Sequence, residues 1–313
     1  MSTIQVRAPG LLTTVQDLGR PGFGPVGVSP SGAADPVSLR LGNRLVANDE
    51  TAAGLEMTLL GGKFVFPEGA ILALTGSDFG AILDDVPLDL GTSAEARPGQ
   101  MVRLGATSSG ARCYLCVQGG IAVRPFLGSA STHILSGLGG FEGRPLRRGD
   151  VVHVGSVTKP FRKRTIAPQV WENLSYRKVL RVTPGPQVDW FSESTQDSFY
   201  ASTYRVGEQS NRMGLRLEGP AVFQRGSSEM ITEGVSLGAI QVPTAGSPII
   251  LFVEQQTTGG YPKIANVISA DLHRVGQLRP RDEIRFERVT FGTARSLLIE
   301  QENLLASGEL ILE

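Results

Sequence analysis

Apolar runs in this chain are short, and turn chemistry cuts each one off. That rhythm constrains the fold more than any single residue. In the first half, strand-like runs recur at Ile4–Arg7, Lys63–Phe66, Ile71–Leu74, Ala81–Leu83, Met101–Leu104, Arg112–Val117 and Val151–Val154. Turn signals such as Pro67-Glu68-Gly69 and Arg97-Pro98-Gly99 separate them. The second half repeats the habit at Val179–Thr183, Leu215–Leu217, Ala239–Val242, Pro248–Val253 and Glu283–Phe286. With 39 glycines and 19 prolines, the chain is suited to many turns and few long helices. The expected fold class is mainly β with a few helices (an α+β arrangement).

Two helices stand out. Asp35 is a good N-cap, Pro36 fits the first helical position, and Leu39, Leu41, Leu45 and Val46 supply a roughly periodic apolar face. Near the C-terminus, Ala294, Leu297, Leu298, Gln301, Leu304 and Leu305 follow the spacing of a buried stripe, and Gly308 stops it. Short helical stretches are expected near Gln187–Tyr200 and Asp271–Val275.

A length of 313 residues suits two domains, and 41% hydrophobic content is enough to build their cores. The expected division is a β-rich unit over 1–156, a basic linker over 157–178 and a second β-rich unit over 179–313. The linker holds the densest basic run, Lys159-Pro160-Phe161-Arg162-Lys163-Arg164, read as a solvated tether before a nucleic-acid contact. The halves echo each other. Arg97–Leu104 resembles Arg279–Phe286, and Gly119-Gly120-Ile121 resembles Gly259-Gly260-Tyr261. This hints at two related β-barrel-like domains.

Thirty basic and 30 acidic residues cancel, which advertises neither nucleic acid nor an anionic membrane as partner. No apolar run approaches a membrane span, and Met1–Gly10 lacks a signal-peptide pattern, so the cytoplasm is the expected location. Cys113 and Cys116 sit in one strand at odd spacing, so they should face opposite ways without a disulfide. Either they form a redox or zinc pair or they are small buried apolar residues, and no second cysteine pair completes a zinc site. His133, His153 and His273 show no metal-ligand spacing, and no metal is expected. Nucleotide-binding Gly-x-x-x-x-Gly-Lys-Ser/Thr and nucleophile-elbow Gly-x-Ser-x-Gly patterns do not occur.

What remains is a set of polar cassettes. Ser210-Asn211-Arg212-Met213-Gly214 joins a planar amide to a fixed charge. Gln255-Gln256-Thr257-Thr258-Gly259-Gly260-Tyr261 follows the apolar run Pro248–Val253. Its amides and hydroxyls supply directed donors and acceptors, and its glycines permit close backbone approach. The cassette fits either a hydrogen-bonded polar ligand or a polar hairpin tip. Arg212 suits a carboxylate or oxyanion, or else an ion pair with Glu208 or Glu218. Arg20, in Thr14–Arg20, suits a bidentate carboxylate or else an ion pair with Asp17. The helix start at Ser31–Asp35 offers backbone N–H groups to an anion, or needs no more than Asp35 as its cap.

These stretches carry a family resemblance. Thr14–Arg20, Ser31–Asp35, Leu55-Glu56-Met57-Thr58, Gly119-Gly120-Ile121, Leu127-Gly128-Ser129, Ser210–Gly214, Gly238–Pro243 and Gln255–Tyr261 occur in the order found in the family of 5-oxoprolinase C subunits. That family is also called KipA or allophanate hydrolase subunit 2. It is related to the carboxyltransferase domain of urea carboxylase. The resemblance implies two domains, at least one a cyclophilin-like β-barrel. It implies a hydrolase of a cyclic amide, active only in complex. Its partners would be the other two 5-oxoprolinase subunits, a KipI-like B subunit and an A subunit. The complex would open 5-oxoproline to glutamate at the expense of ATP shared with those partners. Two alternatives stand beside it: a biotin-dependent carboxyltransferase acting on urea or a similar amide, and a KipA-type regulator that binds a KipI-like kinase inhibitor. Under the first reading Arg212 or Arg20 would hold the substrate carboxylate, while Asn211, Gln256 and Thr257 position the ring amide. Gln255, Thr258, Gly259, Gly260 and Tyr261 would line the site with Asp35. Asp35, Glu56, Glu233 and Asp271 are candidate bases.

Overall fold

Strand Arg112–Val117 shows how the chain builds its first unit. All six residues are buried, because alternate side chains serve two layers. Cys113, Leu115 and Val117 enter one core with Phe64, Phe66, Val102 and Val152. Tyr114 and Cys116 enter a second core with Leu39, Leu41 and Leu45 of helix Pro36–Leu45. The odd spacing of the two cysteines therefore has the expected result, and both thiols are free.

The computed structural model describes residues 2–157, 160–174, 178–226 and 230–312. The chain forms two units: Met1–Arg20 with Ser31–Ser175 and Leu304–Glu313, and Pro21–Pro30 with Tyr176–Asn303. In the first unit a five-stranded sheet runs in the order 12–16, 54–58, 112–117, 70–76, 93–96. A six-stranded sheet runs in the order 151–153, 3–8, 63–65, 101–103, 82–83, 86–87. The core around Phe64 draws on both sheets, and helix Pro36–Leu45 covers the other face of the five-stranded one.

The second unit is a closed barrel of seven strands in the order 179–184, 263–267, 239–241, 249–251, 214–218, 204–206, 283–288. A parallel pairing of Val179–Pro184 with Glu283–Arg288 completes the ring and leaves no free edge among these strands. Leu180, Val182, Leu215, Ile240, Ile250 and Phe286 are buried by the alternation of the strands. Phe199 of helix Glu193–Ala201 stacks on Phe286 at 4.8 Å between ring centroids. The opposite face of the wall carries Gln241, paired across the strands with Lys263 and Ile249.

The mainly β class holds, with five α-helices among the described residues. The predicted strands occur within a residue or two of their expected ends. Asp35 caps its helix by accepting from Ser38 N–H at 2.9 Å, with Pro36 as the first helical residue. The stripe of helix Phe291–Ala306 faces inward as its spacing predicts, although Leu305 is the one residue of it that is fully buried.

Two local expectations change, and one strand is added. The stretch 157–178 is no plain tether. Thr165–Ile166 pairs with Ile311–Leu312, and Pro168–Leu174 is a helix whose Val170 joins Ile166 in the core beside Leu39. Burial of those apolar side chains outweighs the nearby charge; Thr158, Lys159 and residues 175–177 lie outside the described residues. Leu12–Gln16, given no element from the sequence, is a strand paired with Gly54–Thr58, and Gln16 and Thr132 bond across to the neighbouring segment. The internal echo is local chemistry. Gln100 accepts from Arg97 N–H at 2.7 Å and Asp282 from Arg279 N–H at 2.9 Å, and the same closure recurs where Asp150 accepts from Arg147 N–H at 2.7 Å. A polar residue three positions on seals a turn before each strand.

Burial pushes the Cys116 thiol from its ordinary 9.0 up to about 12, and raises Cys113 as well. Both thiols should stay unreactive toward a disulfide reagent at pH 8 until the chain unfolds. The unfolded thiols ionise first, so the stability they contribute is complete below about pH 9 and is lost as pH rises toward about 12. Thiol titration against urea concentration at several pH values measures this, and rapid labelling of the native chain would contradict it.

Candidate functional site

The polar motifs of the first unit fold into two hubs. In one, Asp17 accepts from Ser129 Oγ at 2.6 Å, Ser131 Oγ at 2.5 Å, Ala130 N–H at 2.6 Å and Gly19 N–H at 2.7 Å. Arg20, 2% exposed, donates to the carbonyls of Phe126 and Ser131 and lies over the Phe126 ring. Both side chains thus fasten the loop at Phe126–Ser131, where the sequence suggested a carboxylate ligand or a mutual ion pair. In the other hub, Tyr114 Oη donates to Glu56 and accepts from Asp35 N–H, each at 2.7 Å. Glu56 also accepts from Ala34 N–H at 2.8 Å. The helix start is therefore filled by side chains of its own unit.

The two cassettes of the second unit do meet. Strand Gly214–Glu218 pairs with Ile249–Leu251, so the residues beyond that pairing run side by side. Glu254 N–H donates to the Arg212 carbonyl at 2.8 Å, and Arg212 Nε lies 2.5 Å from Glu254 Oε1. Both side chains are buried. The ion pair anticipated for Arg212 thus exists, but with Glu254. Glu208 pairs instead with Arg281, and Glu218 with Arg205. Asn211 is exposed and turns its side chain inward on the cassette, accepting from Met213 N–H at 2.8 Å. Gln255 is buried against the segment that follows Glu233–Gly234, its side-chain amide donating to the Val235 carbonyl at 3.3 Å.

Beyond Gln255 the chain forms a short ribbon in which Thr258–Gly259 pairs with Glu233–Gly234. Beneath it lies the outer wall of the barrel. Gln256 is exposed and donates to Gln241 Oε1 at 3.4 Å. Gly259 packs so closely on Gln241 that a Cβ there would sit 2.4 Å from its Nε2. Lys263 Nζ, 3% exposed, contacts Glu233 Oε1 at 2.5 Å, and Gln187 Nε2 donates to the same oxygen at 2.9 Å. The hydrogen bond from Lys263 holds the Glu233 carboxyl below its ordinary range. Thr257, Thr258 and Gly260 continue the ribbon. Gly260 and Tyr261 line a separate, largely apolar pocket of about 560 Å³ with Phe223, Met230, Pro243 and Pro262. Asp271 is buried in bonds to Arg181 and Arg274, apart from the ribbon.

Thus Gln256, Thr257, Thr258, Gly259 and Glu233 come together, Arg212 and Asn211 support the adjoining turn, and Arg20 and Asp35 belong to the other unit. Gln187, Gln241 and Lys263 are additions from the structure. Their sequence signal was slight: single polar residues beside apolar runs, at Ile240-Gln241-Val242 and Pro262-Lys263-Ile264. No group of three or more potential metal ligands occurs among the described residues.

Residues 26–288 match the family model described as the carboxyltransferase domain, subdomain A and B. The chain is 37% identical to the C subunit of 5-oxoprolinase from Escherichia coli over 96% of its own length and 95% of that protein's. It superposes on the urea amidolyase of K. lactis with a TM-score of 0.92 at 34% identity, covering 99% of this chain and 20% of that one. For the urea carboxylase of Kluyveromyces lactis the TM-score is 0.89 at 34% identity, covering 99% and 30% respectively.

Two substitutions probe the Asp17 hub and the ribbon contact. Asp17→Ala should cost about 3 kcal/mol, because it strands several buried donors at once. Urea denaturation measures that loss, and a change near zero would show the loop is held by something else. Gly259→Ala should cost roughly 1–2 kcal/mol by forcing the ribbon off Gln241. Adding Gln241→Ala should recover most of it, and strict additivity of the two would contradict the close contact.

Proposed function

The chain belongs to the carboxyltransferase domain family, and on that premise we propose that it is the C subunit of an ATP-dependent 5-oxoprolinase. It acts with the A subunit and a KipI-like B subunit to open 5-oxoproline to L-glutamate. The observation that carries this reading is the end-to-end match with a protein named as the C subunit of 5-oxoprolinase, 96% of one chain against 95% of the other. The match to urea amidolyase, by contrast, spans a fifth of that protein.

The chemistry suits the ribbon site. A lactam is a poor electrophile, and phosphorylating its carbonyl oxygen makes an activated imidate open to water. Such a substrate asks for directed amide and hydroxyl partners. Gln256, Thr257 and Thr258 supply them and Gly259 lets the backbone come close, while Gly260 and Tyr261 line the apolar pocket that adjoins the ribbon. Asn211, Arg212 and Gln255 act by position. The buried Arg212–Glu254 pair sets where Gln256 leaves the barrel wall. Among helix starts, Pro36–Leu45 has its N–H groups at Ala34, Asp35 and Ser38 filled by Glu56, Tyr114 and Asp35. With those groups taken, we propose that the ATP is shared with the partner subunits and is not held at this helix start.

A second reading rests on the near-complete superposition with urea carboxylase. It is biotin-dependent carboxyl transfer to urea or a similar amide, with biotin brought by another protein.

Reconstitution separates these readings. The three purified subunits with ATP and 5-oxoproline should release glutamate and phosphate only when this chain is present. Gln256→Ala should lower kcat/KM about tenfold, the value of one lost directed hydrogen bond. Carboxylation of urea from added carboxybiotin without ATP would support the second reading instead. Tight binding of the KipI-like partner with neither activity would favour the regulatory role.

A further inference from the structure

Lys263 places a cation against the ribbon site, and its surroundings are unusual. Its side chain is 3% exposed, so the ammonium group is largely withdrawn from water. Leaving such a charge without a partner is costly. Its partner is Glu233, whose side chain is 45% exposed. Gln187 adds a second donor to the same Glu233 oxygen at 2.9 Å. Gln187 is itself fixed, because its Oε1 accepts from Lys263 N–H at 3.2 Å. The donors therefore stand on or against the barrel wall, held by a strand ladder. The acceptor stands on a ribbon held by two residue pairs, Glu233 with Gly259 and Gly234 with Thr258.

A third donor is unspent. Gln241 lies opposite Lys263 on the same face of the wall and is 2% exposed. Its Oε1 accepts from Gln256, but its Nε2 is buried without a hydrogen-bond partner among the described residues. Buried amide donors are seldom left so. This one faces Gly259, the position where any side chain would strike it.

We propose that Lys263, Gln187 and Gln241 form a carboxylate-binding site on the outer wall of the barrel, and that Glu233 fills it until a carboxylate ligand takes its place. The ligand class is a small carboxylate bearing a neighbouring amide. Its carboxylate replaces that of Glu233 on Lys263 and Gln187, and its amide carbonyl accepts from Gln241 Nε2 once the ribbon lifts. The identity of the ligand as 5-oxoproline rests on the function proposed above; the site itself does not. It also supplies the cation that the substrate carboxylate needs, since Arg20 is bound to carbonyls and Arg212 to Glu254.

Calorimetric titration of the full chain tests this with two probes, 5-oxoproline and its neutral ring analogue 2-pyrrolidinone. Glu233→Gln removes the competing charge and keeps the shape, so 5-oxoproline should bind about fivefold tighter than to the unaltered chain. Lys263→Met keeps the apolar stem and should weaken 5-oxoproline at least about tenfold. Neither substitution should move 2-pyrrolidinone by as much. Glu233 is surface-exposed, so that variant carries the test even if Lys263→Met fails to fold. Unchanged affinity in Glu233→Gln, or an equal shift for the neutral ring, overturns the site. If the reconstituted complex does not hydrolyse 5-oxoproline yet Glu233→Gln tightens carboxylate binding, the site stands and the proposed reaction falls.

Discussion

Buried backbone amides must find acceptors, and in this chain side-chain carboxylates supply many of them. Short strands joined by glycine-rich loops bury a good deal of irregular backbone. Asp17 gathers two N–H groups and two hydroxyls from its own turn and the loop at Ser129–Ser131. Glu56 and Tyr114 do the same for the start of helix Pro36–Leu45. Without these hubs the segments could not pack against the five-stranded sheet, and the two cores on either side of Arg112–Val117 would lose their lids. That is why the polar motifs of the first unit, which look like catalytic furniture, are architecture.

The second unit obeys the same constraint with a different remainder. Arg212 and Glu254 satisfy each other and tie the two cassettes together. Glu233, however, reaches from a short ribbon to a lysine on the wall, while Gln241 keeps a donor in hand beneath Gly259. A site that must accept and release a ligand cannot have every group permanently matched. The proposed carboxylate site rests on that ribbon-borne Glu233 contact and on the buried Gln241 donor beneath Gly259.

The sequence alone determined a good deal. Alternation and turn residues marked the principal strands, and Asp35-Pro36 fixed the start of the first helix, because those signals act over neighbouring residues. Odd spacing separated Cys113 from Cys116, and the motif order pointed to the right family. The adjacency of the Ser210–Gly214 and Gln255–Tyr261 cassettes was also within reach, since both flank strands.

Only the tertiary structure decided which polar residues hold the frame and which stand exposed at the ribbon. Arg20 and Gln256 look equally chemical in one dimension. One is buried against Phe126 and Ser131, more than a hundred positions away in the chain, and the other lies exposed above Gln241. Lys263, Gln187 and Glu233 are far apart in sequence and carry no motif; closing the barrel brings them together. Local periodicity sets where strands form. Which side chains become partners is set by sheet register and ring closure, and those depend on the whole chain.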